Sequence, residues 1–161
     1  MEVGGLSVAS IVDRIEGPSS WTVERDVHVL YLYEAGSYHW LETWLDDRRT
    51  SLGDPLPGEM WLAPARRRYH GEAKGGAVRY IEVEIPSGRL AVASDTRALA
   101  GHYDMALAAL VRALAAGDAG AADPLVTILA KTLEAMVVRP DSSAVTQRIN
   151  DLMAYIQTQL E

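Results

Sequence analysis

Leu56-Pro57-Gly58-Glu59-Met60-Trp61-Leu62-Ala63-Pro64, with His70 shortly after, is the stretch on which the fold of this chain turns. Pro55-Leu56-Pro57-Gly58 is strong punctuation, since Pro fixes one backbone angle and Gly supplies conformations other residues avoid. Glu59–Ala63 is then too short for a helix, and its apolar run reads as a strand. Pro64 closes it, because proline donates no ladder hydrogen bond.

Strands continue on both sides. Val27-His28-Val29-Leu30-Tyr31-Leu32-Tyr33 is a β-branched and aromatic run, and Glu34-Ala35-Gly36-Ser37 is expected to end it. From Tyr38 to Trp44 the chain alternates: Tyr38, Trp40, Glu42 and Trp44 point one way, and His39, Leu41 and Thr43 the other. Asp46-Asp47 offers a turn, and the chain returns through Thr50 and Leu52. Lys74-Gly75-Gly76 reads as a hairpin-like turn between Tyr69–Ala73 and the strand Ala77–Ile85. In that strand Arg79, Ile81, Val83 and Ile85 share one face, and Tyr80, Glu82 and Glu84 the other. Many short strands broken by Gly and Pro predict a sandwich or small barrel.

Near residue 92 the pattern changes. Tyr103, Leu107, Leu110, Val111 and Leu114 fall on one helical stripe. Gly117-Asp118-Ala119-Gly120 ends it, and Asp123-Pro124 is an N-cap followed by Pro at the first helical position. Leu125, Ile128, Leu129, Leu133, Met136 and Val137 line a second stripe, stopped at Arg139-Pro140. Asp141-Ser142-Ser143 starts a third, with Val145, Ile149, Leu152 and Ile156 at heptad-like spacing. The expected class is α+β: an antiparallel, jelly-roll-like β-barrel over residues 1–92, then two to three helices within 93–161.

Composition narrows the function. The 161 residues carry a net charge of −7, no Cys, no Phe, four Trp and seven Tyr. Zero Cys excludes disulfides and thiolate-held metal, and is compatible with a reducing cytoplasm, the expected location. The acidity argues against a broad phosphate-binding face. No apolar run approaches the roughly 20 residues of a membrane span, and Met1–Ser10 lacks a signal-peptide pattern. Arg66-Arg67-Arg68 therefore reads as a solvated face or an anchor for an acidic patch.

The Leu56–Pro64 stretch with its trailing His70 resembles the strand–turn motif of small cupin barrels. The barrel-then-helices order, closing on Arg148-Ile149-Asn150-Asp151-Leu152-Met153-Ala154-Tyr155-Ile156, is similar to the N-terminal effector domain of AraC-type transcriptional regulators. The resemblance spans nearly the whole chain. It implies a small-molecule effector in the barrel, dimerisation through the helices, and DNA contacted only by a further helix-turn-helix domain. On that reading the chain is a sensor domain separated from its reading head, or a natural single-domain relative.

The candidate chemistry follows. No Gly-X-Ser-X-Gly elbow and no phosphate loop is present, so no catalytic residue is assigned and no cofactor is expected. The runner-up, a metal-dependent cupin enzyme of isomerase or dioxygenase type, needs clustered His and Glu. His28, His39, His70 and His102 include no His-X-His pair, and only His70, with His39, would serve such a reading. Glu82 and Glu84 share a strand face and read as solvated rather than as an acid–base pair. Tyr31, Tyr33, Tyr38, Trp40, Trp44 and Trp61 come from adjacent strands and suit a flat or sugar-like ligand. They also suit plain core filling in a chain without Phe, and a solid barrel would leave only a structural oligomerisation domain. The pocket candidates are Tyr31, Tyr33, Tyr38, Trp40, Glu42, Trp61 and Arg79. Leu125, Leu129, Leu133 and Met136 are the candidate homodimer face.

Overall fold

A computed structural model of the chain describes residues 1–92 and 101–137. Its strands in chain order are β1 (Glu2–Val3), β2 (Leu6–Val23), β3 (Val27–Leu45), β4 (Arg48–Leu52), β5 (Glu59–Ala63), β6 (Tyr69–Pro86) and β7 (His102–Tyr103). Helices α1 (Met105–Ala115) and α2 (Ala122–Val137) follow, joined through a 3-10 turn at Ala119–Ala121. All pairings are antiparallel, in the order β1-β2-β6-β3-β5-β7 with β4 on β3. The class is α+β, a curled antiparallel sheet carrying helices at its C-terminal side. The third stripe, from Asp141 on, and the boundary near residue 93 lie outside the described residues.

Three strands of 18, 19 and 18 residues, β2, β3 and β6, set the architecture. Each contributes to two layers, because each bends at its middle. Tyr31 pairs with Glu82 in the ladder, 13 positions from Tyr69, or about 43 Å along a straight strand. Yet the Tyr31 and Tyr69 rings stack with centroids 6.2 Å apart. The sheet therefore folds back on itself.

The bend is where the sequence reading needs correcting. Neither Glu34–Ser37 nor Lys74–Gly76 reverses the chain; both lie inside continuous strands. Register shifts occur between Tyr33 and Ala35 on β3 and between Ile15 and Pro18 on β2. Gly36 and Gly76 have φ of 92° and 115°, in a region other residues avoid. A Cβ on Gly36 would meet the Ala77 carbonyl oxygen at 2.0 Å, and one on Gly76 the Ser37 carbonyl oxygen at 2.3 Å. These glycines let β3 and β6 cross closely at the corner; they are not turn glycines.

Two apolar layers result. Leu30, Leu32, Met60, Leu62, Val83 and Ile85 face outward from the barrel and meet Leu107, Val111, Leu114, Leu125, Leu129 and Leu133 of the helices. On the opposite face Tyr31, Tyr33, Tyr38, Trp61, Tyr69 and Val78 close the barrel interior with Leu41 and Leu45 from the folded-back half. The helices thus cover a sheet face with the apolar stripes read from the sequence.

Their caps differ in detail. Asp104 caps α1, its carboxylate accepting from the Ala106 and Leu107 amides at 2.8 and 3.1 Å. Tyr103 belongs to β7 instead and is exposed. Asp118, not Asp123, does the capping before α2, by accepting from the Gly120 amide. Asp123 lies inside the first turn and pairs with Arg89.

The helix face assigned to dimerisation is a correction of consequence. Leu125, Leu129 and Leu133 are buried within a single chain, and only Met136 is substantially exposed, at 44%. Fully burying a leucine stabilises by about 1.5–3 kcal/mol, and the barrel claims these three itself. The basic triplet anchors acidic residues as one of its two readings held. Arg66 pairs with Asp26, Arg67 with Asp46 and Arg68 with Asp47, at 3.1, 2.6 and 2.5 Å.

Candidate functional site

The folded-back sheet leaves a cavity of about 600 Å³ on the open side of the barrel interior. β2 forms its rim from Asp13 to Val23, and β3 and β6 supply its aromatic wall. Along β3 the period of two brings Tyr31 and Tyr33 to this face, while Leu30 and Leu32 turn to the helices. The shift after Tyr33 lets Tyr38 return to the same interior. From β6 come Tyr69, Tyr80 and Glu82, and from β2 Trp21 and Val23.

The rings meet edge to face. Tyr31 and Tyr80 lie 5.8 Å apart at 69°, and Tyr33 and Trp61 5.9 Å apart at 62°. Such pairs stabilise beyond their buried area by about 0.5–1.5 kcal/mol. Trp21 sits over Gly71, its ladder partner, where any Cβ would collide with the indole. It also lies 6.5 Å from Tyr38, closing one side of the cavity.

The hydroxyls are held protonated. Burial, followed by the Glu82 charge, pushes the Tyr80 phenol up to about 12. Burial likewise raises Tyr31, Tyr33, Tyr38 and Tyr69. The wall therefore stays neutral and offers O–H donors throughout the physiological range. Charge enters at the rim. Glu82 and Glu84 both accept from Arg25 Nη1, Glu82 at 3.0 Å. Asp13 and Glu16 also border the cavity, with Arg14 between them.

The sequence candidates separate on this geometry. Tyr31, Tyr33 and Tyr38 line the cavity. Trp61 lies behind them, packed on Tyr33 and Tyr69 with its indole N–H lacking a partner among the described residues. Trp40, Glu42 and Arg79 do not line it. The ladder skips the His39–Gly75 pair, and strand faces exchange there. Leu41, Thr43 and Leu45 point inward instead, while Trp40 takes the Lys74 ammonium at 5.3 Å on the outer side. Glu42 stays with Trp40, and strict alternation through Tyr38 to Trp44 fails at that corner. Arg79 is exposed opposite Ala35, at the bulge of β3. The pocket face of β6 is the one carrying Tyr80 and Glu82, which had read as the solvated side.

The residues missed were Asp13, Trp21, Arg25, Tyr69, Tyr80 and Glu82. Their signal was an aromatic and carboxylate alternation, Tyr80-X-Glu82-X-Glu84, facing a β2 strand too polar to attract notice.

A metal centre of cupin type does not fit the described residues. Among the described residues no three His, Asp or Glu side chains gather in a metal-holding group. His39 lies beside Gly75 and His70 opposite Trp44, five positions apart along both strands. His70 bonds Thr22 at 3.1 Å and rests against Trp44. His28 is buried elsewhere, between Ala65 and Leu90.

No family model matches the chain, and no curated protein sequence matches it. Among solved structures it is similar to a candidate mannose-6-phosphate isomerase from Ralstonia eutropha JMP134. That likeness has 15% identity, covers 53% of this chain and 78% of that one, and has a TM-score of 0.40. A cupin superfamily protein from Desulfitobacterium hafniense DCB-2 shares 19% identity over 49% of this chain and 77% of its own, at 0.35. Oxalate decarboxylase from Bacillus subtilis shares 14% over 69% and 28%, at 0.36. Likenesses this remote assign the chain no activity.

Proposed function

We propose that this chain is a small-molecule-binding sensor module of a transcription regulator, in which the barrel cavity takes an effector and α1 carries the response. The observation that carries the reading is a 600 Å³ cavity walled by neutral tyrosines and rimmed by charge. A site of that size, in which tyrosine ring faces meet convergent charged and hydroxyl groups, is suited to a metabolite.

Its connection to the helices supports sensing over storage. Tyr33 lines the cavity, and the next residue, Glu34, accepts from Arg112 of α1 at 2.9 Å. The β3 bulge lies between Tyr33 and Ala35, at the same point. A ligand that shifts Tyr33 therefore acts on a corner tied to α1. Sensing requires the ligand to favour one arrangement of that corner over another. An output domain attached after the helices would read the difference, as in the AraC-type layout that the sequence resembles.

Hydrogen exchange tests this. A compound found to bind the cavity is expected to change protection across Met105–Ala115 as well as in β3 and β6, and Arg112→Ala is expected to weaken the α1 response. Protection confined to the cavity strands would leave a binding domain without transmission and end the sensor reading.

A further inference from the structure

We infer that the cavity selects an organic cation, with the tyrosine rings as its cage and Asp13 as its counter-charge; this rests on the reading of the cavity as a ligand site. Three observations carry it.

The first is the wall. Tyr31, Tyr33, Tyr38 and Tyr80, with Trp21 at the side, present aromatic faces and edges around one space. Aromatic faces attract cations, most strongly where water is excluded. Among the described residues no protein group hydrogen-bonds the hydroxyls of these four tyrosines, so the oxygens are also free to accept from an ammonium N–H.

The second is the balance of charge. Arg25 borders the cavity, and it is already shared by Glu82 and Glu84. That trio has a net charge of −1. An anionic ligand approaching that guanidinium would meet the repulsion of two carboxylates gathered at its Nη1. A cation meets an excess of negative charge at no such cost.

The third is Asp13. It borders the cavity on β2 and faces Tyr38 and Tyr80, which both feel its charge. Among the described residues it makes no ion pair and no side-chain hydrogen bond. Arg14 and Glu16 flank it on the rim and offset one another. A carboxylate left unpaired beside two aromatic rings is the arrangement a substituted ammonium group recognises.

The probes are choline, its uncharged isostere 3,3-dimethylbutan-1-ol, and benzoate. Each is titrated by calorimetry and by Trp fluorescence against wild type, Asp13→Asn, Tyr80→Phe and Tyr80→Leu, with circular dichroism confirming the fold of each variant. Choline is expected to bind at least tenfold more tightly than the alcohol, with benzoate weakest. Asp13→Asn should remove most of that gap. Tyr80→Phe should keep choline binding, and Tyr80→Leu should lose it. Equal or better binding of the alcohol or benzoate, or an unchanged gap in Asp13→Asn, overturns the cation preference while leaving the cavity a ligand site. So does silence from all three probes when another metabolite binds. If no compound of any class binds, the cation proposal and the sensor reading fall together.

Discussion

His28 is held neutral by the two groups that bracket its ring. The Ala65 amide donates to Nδ1 at 2.9 Å, which leaves Nε2 to donate to the Leu90 carbonyl at 3.0 Å. A proton added at Nδ1 would face another N–H. Burial accordingly holds this imidazole below its ordinary value of 6.5, with the Leu90 bond opposing in part. The sign follows. Above 6.5 both folded and unfolded chains carry it neutral. As pH falls below 6.5 the unfolded chain takes up a proton that the folded chain refuses, so stability drops until the folded-state value is passed. Urea unfolding of wild type at about pH 7.5 and about pH 5.5 is expected to show this loss, at most about 1.4 kcal/mol per unit of separation. His28→Gln should show a smaller pH dependence. Equal pH dependence in the two proteins would contradict the assignment. The sequence displayed His28 only as one polar residue in an apolar strand. Its partners come from residues 37 and 62 positions away, which no local pattern encodes. The same is true of the cavity. Tyr31 and Tyr33 were legible because period two governs a regular strand, whereas Trp40 and Glu42 were misplaced because the faces exchange at His39 and Gly75.

At the scale of elements, the long bent strand is the unit that matters. A Gly-Gly pair between two apolar runs reads as a hairpin, and the structure uses it as a corner. The distinction is energetic and non-local: a corner needs a partner strand crossing at the glycine, and β3 supplies it with Gly36. Gly76→Ala would press a methyl onto the Ser37 carbonyl and force a left-handed backbone on alanine. A loss of roughly 2–4 kcal/mol is expected from the denaturation midpoint. An unchanged midpoint would mean the corner is not the constraint it looks. The helices were legible as stripes, but not what the stripes cover. Leu129 is fully buried in one chain's core, so Leu129→Glu is expected to unfold the protein rather than to separate subunits. Sedimentation beside circular dichroism checks this: a folded monomer from a wild-type dimer would restore the α2 face to dimerisation.

For the whole molecule, one sheet serves two purposes. Its outer face gives leucine and valine to the helices, and its inner face gives tyrosine to a cavity. No described helix is long and apolar enough to cross a membrane. The absence of Phe has a structural counterpart: the interior rings from tyrosine carry hydroxyls, so the space they enclose has ring faces for walls and polar tips. The account stands or falls on whether that space takes a ligand. Val23 lines the cavity and is only partly buried, so Val23→Trp should project an indole into it and obstruct a ligand, with circular dichroism confirming the fold. The decisive measurement is a thermal-shift screen of a metabolite library against wild type and Val23→Trp together. The account predicts at least one compound that raises the wild-type Tm by about 5 °C or more at a hundredfold excess over Kd, and leaves Val23→Trp unmoved. No stabilising compound, or equal shifts in both proteins, would contradict it.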